Sequence, residues 1–243
     1  MKIYILYFII IIITLIILNT KFYSDINEYF NIRKCNFDHP ILSKKDLLDL
    51  KDILLEFKRY CTMNNIDYFA TGGTLIGTVR HGGLMPLDDD IDFGIFNKDT
   101  YYFENYNKIM SNSNFYIKPI FFGYKLFKKS SNNNNDSVFI DIFVFELKND
   151  KYMIKGGKWK NEAIEIDEIY PLLNMKYNNI DISIPNKYIK YLDRAFPKWD
   201  TLMKLQCNHI YKSRGCIYKK ELNLNNDYPI NDNNKYTCYS SFD

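Results

Sequence analysis

The sequence predicts an α+β fold, a mixed sheet with flanking helices behind an N-terminal transmembrane helix, and three observations carry that expectation. An almost unbroken apolar run spans Ile3 to Leu18. Apolar residues then recur at helical spacing in Leu47, Leu50, Leu54, Phe57 and Cys61. Beyond them, short apolar segments alternate with Gly-rich turns, the pattern of strands and helices interleaved in one domain. With 243 residues, 47% of them hydrophobic and 25% charged, the chain has material for one sizeable core and little for a second.

The run from Ile3 to Leu18 suits a bilayer better than a soluble core. At roughly 16 residues it is shorter than the ~20 of a typical spanning helix, so a cleaved signal peptide is the alternative. Asn19-Thr20-Lys21-Phe22-Tyr23 offers no small-x-small cleavage site, which favours an uncleaved signal anchor over residues 1–22. Lys2 before the run, with Asp25 and Glu28 after it, places the N terminus in the cytosol. The domain of this single-pass membrane protein then lies in a lumen of ER/Golgi type or is otherwise extracytoplasmic, although Lys21, Arg33 and Lys34 dilute the asymmetry.

After a linker over residues 23–42, Ser43-Lys44-Lys45-Asp46 reads as a helix start, with Asp46 placed to complete a capping box. The apolar positions that follow need no role beyond core packing. Tyr68-Phe69-Ala70 is a short strand, followed by a Gly-Gly-Thr turn, a short helix through Val79 and a Gly82-Gly83 loop. Ile91 to Phe96 and Val138 to Phe145 read as further strands. The polar tract Ser130 to Ser137 between them is an exposed loop, and Asn135 in it is a glycosylation sequon usable in a lumen. The domain is expected over residues 43–222, with an Asn-rich tail over 223–243.

A net charge of +3 and a pI near 8.4 are too mild to make nucleic acid the main partner, and no basic stripe interleaves with aromatics. Cys35, Cys61, Cys207, Cys216 and Cys238 show no C-x-x-C spacing, so a structural zinc site has little support. Cys61 falls on the apolar helical face as a buried thiol. In a lumen, Cys207, Cys216 and Cys238 become disulfide candidates.

Chemistry concentrates between Thr71 and Phe93. In an extended chain Asp88, Asp90 and Asp92 project together, while Asp89, Ile91 and Phe93 point away. Carboxylates held that close repel one another unless a cation lies between them, and hard oxygen ligands suit Mg²⁺ or Mn²⁺. A solvated acidic turn is the plain alternative. Gly72, Gly73 and Thr74 ahead of the acidic run would let a helix N-terminus approach an anion, a phosphate cradle beside a metal site. Asp141, flanked by Ile140 and Ile142, is a natural third carboxylate because an unpaired charge in a core strand is expensive. Arg80 could reach phosphates from the far end of the short helix, or pair with Asp88 or Asp89. Lys125 is a possible phosphate contact or a solvated side chain. His81 reads as structural, Trp159 and Trp199 as packing residues, and His39 and His209 have no partner pattern.

The run Gly-Gly-Thr-Leu-Ile-Gly-Thr-Val-Arg-His-Gly-Gly-Leu-Met-Pro-Leu-Asp-Asp-Asp-Ile-Asp, residues 72–92, closely resembles the signature of the LicD family, which includes bacterial phosphocholine transferases and the animal fukutin type. The usual form has Trp where this chain has Leu87, a change that bears on packing beside the site rather than on its metal chemistry. The resemblance continues through Gly123-Tyr124-Lys125-Leu126, Phe139 to Phe143 and Ile169 to Leu172, with a weaker match from Ile184 to Trp199, and covers about residues 43 to 203. It implies a polymerase-β-like nucleotidyltransferase fold. It also implies a CDP-activated donor bound with Mg²⁺ (or Mn²⁺), whose phosphocholine or ribitol phosphate passes to a glycan hydroxyl. On that reading Asp88, Asp90 and Asp92 hold the metal, Asp90, Asp92 and Asp141 are catalytic, and Gly72, Gly73, Thr74, Arg80 and Lys125 contact substrate. The alternatives are transfer of the nucleotide itself, or a catalytically idle, membrane-anchored regulator of glycan phosphorylation.

Overall fold

A computed structural model describes residues 42–129, 138–206 and 219–224. The expected anchor, nearly all of the linker, the Asn135 loop and the tail beyond Leu224 lie outside the described residues, as do Cys35, Cys207, Cys216, Cys238, His39 and His209. Among the described residues no helix is long and apolar enough to cross a membrane.

The helices are α1 (Lys44–Met63), α2 (Gly72–Arg80), α3 (Thr100–Glu104), α4 (Tyr106–Ile109), α5 (Ile166–Ile169) and α6 (Tyr188–Ala195). The main sheet contains β1 (Tyr68–Ala70), β2 (Asp90–Phe96), β3 (Phe115–Ile120), β4 (Gly123–Lys128), β5 (Phe139–Lys148), β6 (Lys151–Ile154) and β7 (Ile164–Glu165). Its order is β1-β2-β5-β4-β3, with β6 joined to β5 and β7 to β6. Every pairing is antiparallel except β2 with β5. This is the mixed sheet that the sequence predicts. Two further hairpins, β8 (Leu173–Tyr177) with β9 (Ile180–Ile184) and β10 (Leu202–Gln206) with β11 (Lys219–Asn223), stand outside it.

The capping box at the start of α1 is present. Ser43 Oγ accepts the Asp46 N–H at 3.1 Å and the Asp46 carboxylate accepts the Ser43 N–H at 3.1 Å. One face of α1, carrying Leu50, Ile53, Leu54, Phe57 and Cys61, is buried, and burying each large side chain contributes about 1.5–3 kcal/mol. Phe57 stacks on Phe93 of β2 with ring centroids 4.7 Å apart. Strand alternation therefore gives Ile91, Phe93 and Ile95 to the α1 side and Asp90 and Asp92 to the opposite face.

Expected and observed elements differ mostly at their ends. β1 covers the expected residues. β5 runs on to Lys148 because Glu146, Leu147 and Lys148 pair with β6. Asn223, expected to open the tail, is paired with Leu202 as the last residue of β11.

Candidate active site

Parallel pairing sets the register that matters. Asp92 of β2 lies opposite Asp141 of β5, which lies opposite Lys125 of β4, so three charged residues form one row across the sheet. Asp90 stands two residues back on the same face. Asp90, Asp92 and Asp141 each offer an oxygen, and these atoms lie within 4.8 Å of one another. Asp90 and Asp141 are buried and Asp92 is half-buried. Converging, largely desolvated carboxylates fit a hard cation better than they fit a solvated acidic turn.

The structure adds Asp141 to the expected metal-binding carboxylates and leaves Asp88 beside them. β2 begins at Asp90, so Asp88 precedes the strand and follows the left-handed Leu87 (φ 63). Its carboxyl is hydrogen-bonded to that of Asp90 and lies in the field of Asp92, while the tightest group is Asp90, Asp92 and Asp141. Asp88 still lines the same cavity, and Asp89 is buried at 1% exposure.

The first turn of α2 grips Asp92 at three points. Thr71 N–H donates to the Asp92 carbonyl at 3.2 Å, Asp92 N–H to Thr74 Oγ1 at 2.7 Å, and Gly73 N–H to the Asp92 carboxylate at 3.0 Å. The positive end of the helix thus faces a carboxylate that belongs to the chain itself. Gly72 is obligatory on two counts: φ is +51, and a Cβ there would stand 2.7 Å from Asp92 Oδ2. Thr71 is tied in turn to α6 by a buried bond of 2.8 Å to the Tyr191 hydroxyl.

Arg80 lines the cavity, and its guanidinium donates to the backbone carbonyls of Trp199 and of Leu202, the latter at 3.1 Å. It joins α2 to the start of β10. His81 is 1% exposed and accepts from Arg80 Nε at 3.3 Å; burial and the Arg80 charge push its imidazole well below the usual range. The Lys125 ammonium lies 2.9 Å from Asp141 Oδ1 and 3.4 Å from the Phe139 ring centroid.

These residues surround a cavity of about 840 Å³, within the range of small-molecule sites. Phe122, Phe143 and Trp159 line it beside Asp141, and Trp199 lines it beside Arg80, so the two tryptophans expected as packing residues also border the cavity. Phe143 was within reach of the sequence, since it follows Asp141 by two positions on one strand face. Glu162 gives no signal in its spacing; its half-buried carboxyl adds to the negative field at Asp92, and burial pushes it up to about 7.

The family model for the LicD/FKTN/FKRP nucleotidyltransferase domain matches residues 65–187, slightly more than half of the chain and the part that holds every acidic residue of the cluster. The chain belongs to the LicD family. This LicD domain is 31% identical over 173 residues to an uncharacterised protein of Rickettsia typhi, covering 70% of this chain and 52% of that one. The lipopolysaccharide cholinephosphotransferase LicD of Haemophilus influenzae is 51% identical over 41 residues, 17% of this chain and 16% of that protein. Ribitol 5-phosphate transferase FKRP of Mus musculus is 24% identical over 140 residues, 54% and 28% respectively. The chain therefore spans about half the length, or less, of these relatives.

The electrostatics of the LicD site predict a pH dependence. Burial, and then the neighbouring carboxylates, raise Asp88, Asp90 and Asp92 well above the usual carboxylate range. A carboxyl raised in the folded state holds its proton more tightly folded than unfolded, so its stabilising contribution is lost as pH rises through the folded value. For Glu162 the window runs from the ordinary 4.5 to about 7. Glu168, lowered to about 2 with Arg194 and Lys190 beside it, acts only below that window. Between pH 4.5 and about 7 the melting temperature of the EDTA-treated wild type should therefore fall relative to that of Glu162→Gln, in which only this group is removed and the opposite contribution of buried His81 is kept. Parallel melting profiles of the two proteins across that range would contradict the burial of Glu162.

Proposed function

We propose that this LicD domain is a metal-dependent phosphotransferase that moves a phosphocholine- or alditol-phosphate-type group from a CDP-activated donor to a glycan hydroxyl. The observation that carries the reading is the cluster of Asp90, Asp92 and Asp141 on the floor of a cavity, fastened to a helix N-terminus at Gly73. The names of two relatives, a cholinephosphotransferase and a ribitol 5-phosphate transferase, are consistent with it.

Asp90, Asp92 and Asp141 would hold the cation, which when bound supplies positive charge to the donor phosphates and the leaving group. The protein's own residues do the rest. The backbone of Gly72 and Gly73 fixes Asp92, and the apolar walls exclude water. Lys125 neutralises Asp141 until substrate enters. The acceptor hydroxyl gives its proton to Asp141 as its oxygen bonds to the distal phosphorus of the donor. The bond from that phosphorus to the bridging oxygen breaks, and CMP departs with the bridging oxygen. The segment from Ile3 to Leu18 anchors the protein, and the domain works on glycans in an extracytoplasmic or lumenal space.

The test is to incubate the full chain with CDP-choline and with CDP-ribitol in Mg²⁺ and to measure CMP. Mg²⁺-dependent CMP release supports the reading. Pyrophosphate release from a nucleoside triphosphate, without CMP, would replace it with nucleotidyl transfer. No turnover of any donor, with nucleotide still bound, would leave the idle regulator.

A further inference from the structure

The cavity has two unlike sides. On the α2 side stand Arg80, Met85 and Asp88, close to Gly73. On the β4–β5 side stand Lys125 and three aromatic residues, Phe122, Phe143 and Trp159. Phe143 occupies the sheet row next to the Lys125–Asp141–Asp92 row, between Gly123 and Gly94, so its ring meets no side chain from either strand neighbour. Phe122 stacks on it at 4.4 Å and 15°. Trp159 meets both rings at 87°, with centroids 5.3 and 5.6 Å away, and Phe121 lies parallel to the indole at 5.8 Å.

Three features of Trp159 exceed what packing requires. The residue keeps 39% exposure although it packs against three phenylalanine rings. Its backbone is left-handed, φ 54 and ψ 47, a strained conformation for a bulky side chain that tends to occur at ligand clamps. Its indole N–H makes no hydrogen bond among the described residues, whereas that of Trp199 donates to Asp193. Because Phe122 and Phe143 close on each other and Phe121 covers the indole on one side, a single platform with one donor remains. A quaternary ammonium group calls for several faces around it. A flat C–H surface fringed with hydroxyls needs one.

We propose that the corner of Phe122, Phe143 and Trp159 is the acceptor subsite, holding a sugar ring by its C–H face against the indole, with one ring hydroxyl accepting from the indole N–H. This rests on the reaction proposed above, in which attacking and leaving oxygens lie on opposite sides of the phosphorus. The corner adjoins Asp141, the carboxylate on the attacking side. The donor nucleotide then takes the α2 side, where Lys198, Lys204 and Arg80 supply positive charge.

The test uses the two tryptophans of the described cavity, the only two in the sequence. The full chain carrying Trp199→Phe reports Trp159 alone, and Trp159→Phe reports Trp199 alone. Each is held in a choline-free, non-glycosidic detergent and titrated with methyl glycosides of glucose, galactose and N-acetylglucosamine, and separately with CMP. The expected result is a saturable, millimolar-range shift of Trp159 emission with at least one glycoside, no shift with CMP, and no glycoside response from Trp199. A Trp159 response to CMP but not to glycosides would make the corner a nucleobase site and overturn the proposal. A glycoside response confined to Trp199, or none in either protein, would overturn it as well. Mg²⁺-dependent CMP release by the wild type is measured separately, so failure of the transferase reading is seen independently of failure of the subsite.

Discussion

Asp90→Asn and Asp92→Asn should each lower Mg²⁺-dependent turnover by at least about 100-fold, the scale on which loss of a key electrostatic group acts. Both substitutions keep side-chain volume and remove a charge from a cluster whose oxygens lie within 4.8 Å of one another. The fold should survive. In EDTA the variants should melt above the wild type, because burial and mutual repulsion already penalise the ionised forms, a cost tolerated where a site is built for function. Asp89→Asn is the control. That residue is buried outside the cavity lining, so its substitution should move stability more than turnover. CMP release, Mg²⁺ titration and thermal melts on the same three variants decide the matter. Full turnover in Asp92→Asn would refute the assignment of the cluster.

Gly72→Ala should be nearly as damaging by a different route. The added methyl would stand 2.7 Å from Asp92 Oδ2, so the carboxylate must move, and misplacement by about 1 Å can cost on the order of 100-fold in rate. The left-handed backbone adds a stability loss of about 1–2 kcal/mol. Gly157→Ala separates the two effects. Its φ is +71 and a Cβ there meets nothing within 4 Å, so it should show a similar stability loss with unchanged Mg²⁺ affinity. Equal Mg²⁺ affinity in Gly72→Ala and the wild type would show that the close approach to Asp92 has no bearing on the site.

Much of this architecture is legible in the chain because local rules and tertiary packing agree. Ser43 and Asp46 form their box within four residues, and the Tyr68–Ala70 strand is bounded by turn signals on both sides. Gly72, Gly73 and Asp92 sit in one long motif, so their closeness is visible before any fold is known. Asp88 precedes the strand, so alternation alone does not set its place; it reaches the cavity through a hydrogen bond to the Asp90 carboxyl. Arg80 was expected near phosphates or paired with Asp88 or Asp89; it lines the cavity, and its carbonyl partners come from Trp199 and Leu202, far along the chain and without any side-chain signature. The place of Trp159 in the cavity and the field of Glu162 at Asp92 gave no signal for a related reason: both residues follow a turn of left-handed residues, Gly156, Gly157 and Trp159, that no periodicity marks.

The parallel pairing of β2 with β5 also fixes when the site can exist. Strands of that kind cannot be joined by a tight turn, and here α3, α4 and the β3–β4 hairpin lie between them in the chain. Asp90 and Asp92 are in place as soon as β2 meets α2, whereas Asp141 arrives only after the whole intervening segment has closed, a long-range step that is slow on entropic grounds. A chain halted midway therefore carries two carboxylates of three and an empty place beside Asp92. Divalent-cation affinity would consequently appear at the end of folding rather than along it, so a refolding experiment that follows cation uptake times the docking of β5 onto β2.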